Sequence, residues 1–356
     1  MQGKRIAFTG GGTAGHVIVN LALIPYFLDN GWEIDYIGSE FGIERELIEE
    51  IADITYYPIS TGKLRRYMSL ENMKDPFRVI KGVAQAWNII RKTKPNVIFS
   101  KGGFVSVPVV VAARFRRVPT IIHESDLSPG LANKLAAPFA KQILTTFPET
   151  VDYVRKKNAT YVGPIIRDEL FQGDKQKGYD LTVFTKSRQV LLVMGGSSGS
   201  QKINDTVRSI LPQLLKTYQV IHICGAGNID ETVQYQGYAQ FEYVNKELTH
   251  LFAITDFVIS RAGANAIFEL LALQKPMLLI PLSLGASRGD QIENASSFAK
   301  KGIAHVLKQE EMTAETLLEA IKGLTKSEQD MRKQMEQYNS RASRDHVIKL
   351  IKQIAK

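Results

Sequence analysis

Residues 257–294 read FVISRAGANAIFELLALQKPMLLIPLSLGASRGDQIEN, and the fold follows from how this stretch alternates. Phe257 to Ser260 is a short apolar, β-branched run of the kind buried in a parallel sheet. Arg261, Ala262 and Gly263 then turn the chain into a helical segment, Ala264 to Leu273. The first N–H groups of such a helix have no intrahelical partner, and its aligned peptide dipoles favour an anion. The turn at Gly263, Ala264 and Asn265 therefore suits a diphosphate without help from a metal. Further along the helix, the Glu269 carboxylate is spaced to accept hydrogen bonds from a ribose diol. A second strand, Met277 to Ile280, stops at Pro281 and is followed by a polar loop, Ser283 to Gln291. Arg288, Asp290 and Gln291 in that loop open the next helix and hang over the same crevice, because ligands of open α/β sheets bind beyond the carboxyl ends of the strands. A glycine after a strand is by itself only a turn, and a mid-helix glutamate by itself only a solvated face. Their combination points to a nucleotide.

A chain of 356 residues exceeds one ordinary core and fits two domains. Hydrophobic residues at 44% and charged residues at 23% are the balance of a globular protein. Cys224 is the single cysteine, which excludes an intramolecular disulfide and a thiolate metal cluster and fits a reducing cytoplasm. The start, MQGKRIAFTGGG, lacks the apolar core and cleavage site of a signal peptide. The longest apolar run, Val105 to Ala113, is too short for a membrane span and contains Pro108. A net charge of +9 calls for an acidic partner, and the excess lies early: 21 basic and 15 acidic residues up to Gly163, against 24 and 21 beyond it. No zinc-finger, RRM or helix-turn-helix signature accompanies it, so nucleic acid is not the expected partner. An anionic membrane surface fits the charge.

Read from the start, the strand Arg5 to Thr9 feeds Gly10, Gly11, Gly12, Thr13, Ala14, Gly15 and His16, then a helix from about Val17 to Asn30. The glycine spacing matches a dinucleotide fingerprint, but no acid ends the next strand, Glu33 to Ile37. His16 opens the helix, where an imidazole either caps and packs or takes a proton near neutral pH. A basic loop with Lys63, Arg65 and Arg66 leads to a helix from Asp75 to about Lys92. Phe77, Ile80, Ala84 and Trp87 share one stripe of it, either core or, with Arg78, Lys81, Arg91 and Lys92 around it, a docking face for an anionic bilayer. After the strand Val97 to Ser100, a second glycine turn, Gly102, Gly103 and Phe104, lets backbone approach a ligand closely. The strand Thr120 to His123 ends in Glu124, Ser125 and Asp126, acids able to serve as base or to orient His16. Arg167 closes the run VGPIIR and can grip phosphate oxygens in bidentate fashion.

Beyond it, residues 169–188 are polar and irregular and read as an interdomain linker. The alternation then restarts with Gln189 to Met194 and the small-residue loop Gly195 to Ser200, which includes Ser197 and makes another anion nest. Strands are expected at Val220 to Cys224 and Phe241 to Val244. The expected organisation is therefore two domains, 1–168, whose basic excess suits a membrane surface, and 189–342, which holds the nucleotide-binding turns. Both read as doubly wound, Rossmann-like parallel sheets facing a cleft.

These motifs, in this order, resemble the MurG family of N-acetylglucosaminyltransferases. TGGGTAGH is similar to the family's first glycine loop, with Ala14 where a glycine is usual, and KGGFVSVP is similar to its G-G-[YF]-x-S-x-P segment. The segment HESD, 123–126, departs from the family's H-E-Q-N, and the resemblance otherwise runs from Thr9 to about Gln309. It implies the GT-B architecture, with the last helix, 343–356, crossing back onto an acceptor- and membrane-facing first domain and UDP-GlcNAc bound by the second. It also implies an inverting transfer of GlcNAc from UDP-GlcNAc to the C4 hydroxyl of the muramyl sugar on undecaprenyl-diphosphate lipid I, giving lipid II for peptidoglycan. It implies His16 as general base with Glu124 or Asp126 in reserve. The donor would be held by Thr13, Ala14, Gly15, Arg167, Ser197, Val244, Gly263, Ala264, Asn265, Glu269 and Gln291, and the acceptor by Gly102, Gly103 and Phe104. No Asp-x-Asp pair occurs, so no metal and no other cofactor is expected. The implied place is the cytoplasmic side of the cell membrane, peripherally bound. The rivals on this fold are a glycolipid synthase, a UDP-GlcNAc 2-epimerase and a non-catalytic sugar-nucleotide-binding subunit.

Overall fold

The strands β1 (Arg5–Thr9), β2 (Glu33–Ser39), β3 (Ile54–Ile59), β4 (Val97–Ser100), β5 (Thr120–Glu124), β6 (Gln142–Thr145) and β7 (Ala159–Tyr161) form one sheet in the order β3-β2-β1-β4-β5-β6-β7. A second sheet contains β8 (Gln189–Met194), β9 (Tyr218–Ile223), β10 (Tyr238–Phe241), β11 (Phe257–Ser260), β12 (Met277–Leu279) and β13 (Ala304–Val306), in the order β10-β9-β8-β11-β12-β13. All pairings are parallel. Parallel strands with helices on both faces must be apolar on both sides, and β4, β5, β9 and β11 are buried along their whole length. The computed structural model describes residues 3–62, 75–154, 158–196, 199–285, 287–338 and 342–355. The chain divides into two units, Met1–Arg167 with Ser340–Lys356, and Asp168–Asn339.

In the first unit the pleat sends Ile6 and Phe8 to one face of β1 and Ala7 to the other. The first face is covered by the helix Gly15–Asp29, through Leu23 and Phe27, and by the last helix, Ala342–Ile354, through Val347, Ile348 and Ile351. The other face packs on Ala86 and Ile90 of the helix Asp75–Thr93 and on Val109 and Ala112 of the helix Ser106–Phe115.

The helix Asp75–Thr93 decides between the two readings of its apolar stripe. Phe77 and Ile80 are not core: they are 74% and 67% exposed, and Ala84 is exposed with them. A Cβ at Gly82 would stand 2.2 Å from the Ser60 carbonyl oxygen, so that face is pressed on the end of β3 and turns the aromatic stripe outward. Trp87 is half-buried, with the guanidinium of Arg116 5.1 Å and that of Arg91 5.8 Å from its ring centre.

Residues 169–188 are a correction, because they fold as part of the second unit. A 3-10 turn, Asp168–Gln172, leads to a helix, Lys175–Thr182, whose N-cap Asp174 accepts from the Gln176 N–H at 2.7 Å and the Lys177 N–H at 3.3 Å. The Asp174 N–H in turn donates to His250 Nδ1 at 2.9 Å. A Cβ at Gly178 would lie 2.4 Å from the His250 carbonyl oxygen, so this glycine allows close packing on the helix Leu248–Ile254 rather than flexibility. A smaller correction concerns β10, which ends at Phe241 and leaves Val244 beyond it.

Strand order reverses between β1 and β4 in the first sheet and between β8 and β11 in the second. At such switch points the loops leaving the carboxyl ends splay apart and leave a crevice. The loops in question are the four small-residue turns after Thr9, Ser100, Met194 and Ser260.

Two outcomes follow from this packing. Ile351 is fully buried among the helices over β1, so Ile351→Ala should lower unfolding free energy by about 2–4 kcal/mol, read as a shifted urea midpoint. His222, on β9, is buried and pushed down to about 3, by desolvation first and by the Arg208 charge second. An unfolded chain binds a proton there near pH 6.5 while the folded one does not, so the contribution is complete above about pH 7 and is lost as pH falls toward 3. Between pH 8 and 5 it should amount to about 2 kcal/mol, and His222→Gln should flatten the pH dependence of the urea midpoint accordingly.

Candidate active site

In the first unit the loop after β1 is fastened from beneath. Glu44, fully buried on the helix Ile43–Glu49, accepts from the Gly12 N–H at 3.0 Å, the Ser39 N–H at 3.0 Å and the Ser39 hydroxyl. A Cβ at Gly11 would fall 2.2 Å from the Glu44 carboxyl carbon, which is why no side chain fits there. His16, in the first turn of the helix Gly15–Asp29, is half-buried, its Nδ1 2.9 Å from the Gly11 carbonyl oxygen and 3.2 Å from Thr13 Oγ1. A carbonyl cannot donate, so Nδ1 carries the hydrogen and the neutral ring keeps its lone pair on Nε2. That is the tautomer a base needs. Ala14 has φ −55° and ψ −35°, an ordinary helical conformation open to any residue, so its replacement of glycine costs nothing locally. Thr13 is exposed, and its carbonyl accepts the His16 N–H at 3.0 Å.

The second glycine turn rests against the first. The Gly11 N–H donates to the Gly102 carbonyl at 3.3 Å, and a Cβ at Gly103, where φ is +80°, would meet the Gly11 carbonyl oxygen at 2.2 Å. Thr13, Ala14, Gly15, His16, Gly102 and Gly103 are thus gathered at one switch point, with half-buried Phe104 beside them in sequence. Lys101, at the end of β4, is 2% exposed; desolvation pushes its pKa down against the opposing pull of Glu124 and Asp126. Burial first, and the Lys101 charge second, hold the neighbouring His123 well below the usual imidazole range, so that histidine stays neutral.

Glu124 is engaged by the turn that follows it. Its Oε1 accepts from the Asp126 N–H at 3.0 Å, and its Oε2 from the Gly130 N–H and Asn133 Nδ2, both at 2.9 Å. Those bonds make it a brace for the turn after β5. Asp126 is half-buried one residue beyond Ser125. Arg167, where the first segment of this unit ends, is half-buried after the buried run Val162 to Ile166.

In the second unit the turn after β11 begins a helix, Ala264–Ala272, at Gly263, and no side chain caps it among the described residues. Arg261, 9% exposed, holds the turn: Nη1 donates to the Ile280 carbonyl at 3.1 Å and Nη2 to Ser200 Oγ at 2.6 Å. It therefore ties the end of β12 to the cap of the helix Gln201–Ser209, whose loop contains Ser197. Ser197 itself lies outside the described residues. Asn294 Nδ2 donates to the Ala262 carbonyl at 3.2 Å and fixes the turn from its other side.

Glu269 is on the same helix as Ala264 and Asn265 and is 7% exposed. Gln291 Oε1 accepts the Leu282 N–H at 3.1 Å, holding the strand end after β12. Gly263, Ala264, Asn265, Glu269 and Gln291 are therefore assembled around neighbouring strands, while Val244, buried, stands past β10, two strands from β8. Glu44, Lys101, Arg261 and Asn294 went unnoticed as supports in the sequence. An arginine directly after a wholly apolar strand was the one available signal.

Among the described residues no group of three or more His, Cys, Asp and Glu side chains is arranged to hold a metal ion. The glycosyltransferase family 28 N-terminal domain matches residues 6–145 and the family 28 C-terminal domain residues 190–351. A protein of Oceanobacillus iheyensis named UDP-N-acetylglucosamine–N-acetylmuramyl-(pentapeptide) pyrophosphoryl-undecaprenol N-acetylglucosamine transferase is 59% identical over 353 residues, 99% of each chain. One of the same name from Geobacillus thermodenitrificans is 56% identical over 354 residues, again 99% of each. The crystal structure of Acinetobacter baumannii MurG superposes with a TM-score of 0.77 at 24% identity, covering 98% of this chain and 99% of that one, a likeness of fold. With family domains matched in both units and identity above one half over the full length, the chain belongs to glycosyltransferase family 28 and, within it, to the MurG family.

Proposed function

We infer that this chain transfers GlcNAc from UDP-GlcNAc to the C4 hydroxyl of MurNAc on undecaprenyl-diphosphate lipid I, with inversion, and so makes lipid II for peptidoglycan. The single observation that carries the reading is full-length identity of 52–59% to transferases named for that donor and acceptor. The glycolipid synthase, the epimerase and the non-catalytic subunit lose ground to it. An assay with labelled UDP-GlcNAc and a lipid I analogue tests it: product should form with that acceptor, and donor turnover without acceptor, or none at all, would contradict it.

The residue roles are proposals built on the geometry above. His16 Nε2 takes the proton of the C4 hydroxyl as that oxygen attacks the anomeric carbon from the face opposite UDP. The carbon–oxygen bond to the diphosphate breaks as the new one forms, and UDP leaves with the bonding pair. Its charge is stabilised by the N–H groups of Ala264 and Asn265 at the uncapped helix start, by Arg167, and by the loop of Ser197. Glu269 takes the ribose diol, the backbone at Val244 the uracil edge, and the Gln291 NH₂ the donor sugar or phosphate. Gly102, Gly103 and Phe104 meet the acceptor. Asp126, close enough to Lys101 to influence it, is less suited to be the base than to keep that buried charge in balance. We propose that no metal takes part, since the sequence has no Asp-x-Asp pair and the helix start supplies the positive end.

A lipid-linked acceptor must be met at a bilayer, and the first unit has the means. No helix among the described residues is long and apolar enough to cross a membrane. Phe77 and Ile80 stand exposed beside Arg78 and Lys81, and Phe115, 70% exposed, sits between Arg114 and Arg116 on the neighbouring helix. Burying such side chains is worth about 1.5–3 kcal/mol each, and each basic residue near anionic lipid about 1 kcal/mol. We propose peripheral attachment to the cytoplasmic face of the cell membrane through this surface.

Two outcomes check these roles. His16→Ala should lower kcat by about 10²- to 10⁴-fold while UDP affinity, measured by calorimetry, is retained. Near-normal turnover would place the base elsewhere. Phe77→Ser combined with Ile80→Ser should reduce sedimentation with phosphatidylglycerol vesicles at least about tenfold, with kcat on a short-chain soluble acceptor unchanged.

A further inference from the structure

One buried carboxylate close to the proposed base is unused by the mechanism. Glu44 is fully buried, and its Oε2 accepts the Gly12 N–H at 3.0 Å. The same peptide unit presents the Gly11 carbonyl to His16 Nδ1 at 2.9 Å. Carboxylate, peptide and imidazole therefore form one hydrogen-bonded line, in which the amide is polarised from its N–H end and accepts more strongly at its oxygen. Hydrogen bonds in such a chain strengthen one another, most of all where water is excluded.

We propose that Glu44 is a positioning residue for catalysis, acting on His16 through the Gly11–Gly12 peptide to fix the ring with Nδ1 protonated and to stabilise the imidazolium that forms when Nε2 takes the proton. The inference rests on the reading of His16 as the base. It gives Glu44 the part that a carboxylate plays when it touches a catalytic histidine directly, with a peptide interposed. Close packing supports a dedicated arrangement: Gly11 leaves no room for a side chain over the carboxylate, and Gly103 closes on the far side of the same carbonyl. Ser39, through N–H and hydroxyl, holds the other carboxylate oxygen and fixes the plane. The other charge against this loop is Lys101, whose Cβ is 3.1 Å from where one on Gly10 would be; Tyr36 and Tyr56, which feel the Glu44 charge, are both pushed upward and stay neutral. Glu44 is therefore an anionic group joined to His16 through the hydrogen bonds at Gly12 and Gly11.

The test compares Glu44→Gln, Glu44→Asp and His16→Gln in the full chain, with UDP-GlcNAc and a lipid I analogue. For Glu44→Gln, kcat should drop about tenfold or more with KM for UDP-GlcNAc nearly unchanged. Its acid limb in the kcat–pH profile should move to lower pH by about half a unit, because removing the negative charge makes the imidazolium less stable. Glu44→Asp, which keeps the charge, should keep the acid limb in place. A Glu44→Gln profile that only scales downward, with the limb unmoved, would overturn the relay and leave a structural brace. Should His16→Gln retain turnover, the base assignment itself fails, a result distinct from the first. If Glu44→Gln does not fold, nitrogen-15 NMR of His16 in the unaltered protein decides: the neutral ring protonated on Nδ1 is expected, and protonation on Nε2 would overturn the proposal.

Discussion

Parallel pairing of β1 with β4 and of β8 with β11 is the constraint on which the rest depends. Parallel strands release their chains at the same end, and a reversal of strand order there leaves space that no crossover fills. Both units place glycines and other small residues at that end, which lets the backbone of one turn approach its neighbours closely. The glycines after β1 and β4 interlock closely enough that neither turn is free to adopt its shape without the other.

Electrostatics in the two units follow different rules. In the second, no side chain among the described residues caps the positive end of the helix Ala264–Ala272, and the nearby guanidinium of Arg261 donates to a carbonyl and a hydroxyl, a buried support rather than an exposed clamp. In the first, buried charges are set close together: Glu44 beneath one glycine turn, and Lys101 under the influence of Glu124 and Asp126 beside the other. A buried charge without compensation is costly, which ties these side chains to their loops and the loops to one geometry.

Much of this was legible in the sequence. The strands from Arg5, Val97, Gln189 and Phe257 announce themselves as apolar runs ending in small residues, and the order of those runs carries the family resemblance. What the sequence concealed depends on contacts between distant segments. Gly178 looked like a flexible linker because a glycine that admits a neighbouring carbonyl and one that loosens a chain are the same letter. Phe77 and Ile80 matched a core stripe by spacing, yet the helix turns on Gly82 and Ala86. Glu44 drew no reading of its own, and Glu124 read as a base or as a support for His16, because only the folded loops show which N–H groups they accept from.

The central proposal is that the N–H groups at the start of the helix Ala264–Ala272, which no side chain caps among the described residues, bind the donor's diphosphate. Amide hydrogen exchange with and without UDP, in the presence of a chelator, measures this at the atoms concerned. The account predicts that exchange at Ala264, Asn265 and Ala266 slows on adding UDP with no divalent ion available. Unchanged exchange at those amides with UDP bound, or slowing that appears only when a divalent metal is restored, would contradict it.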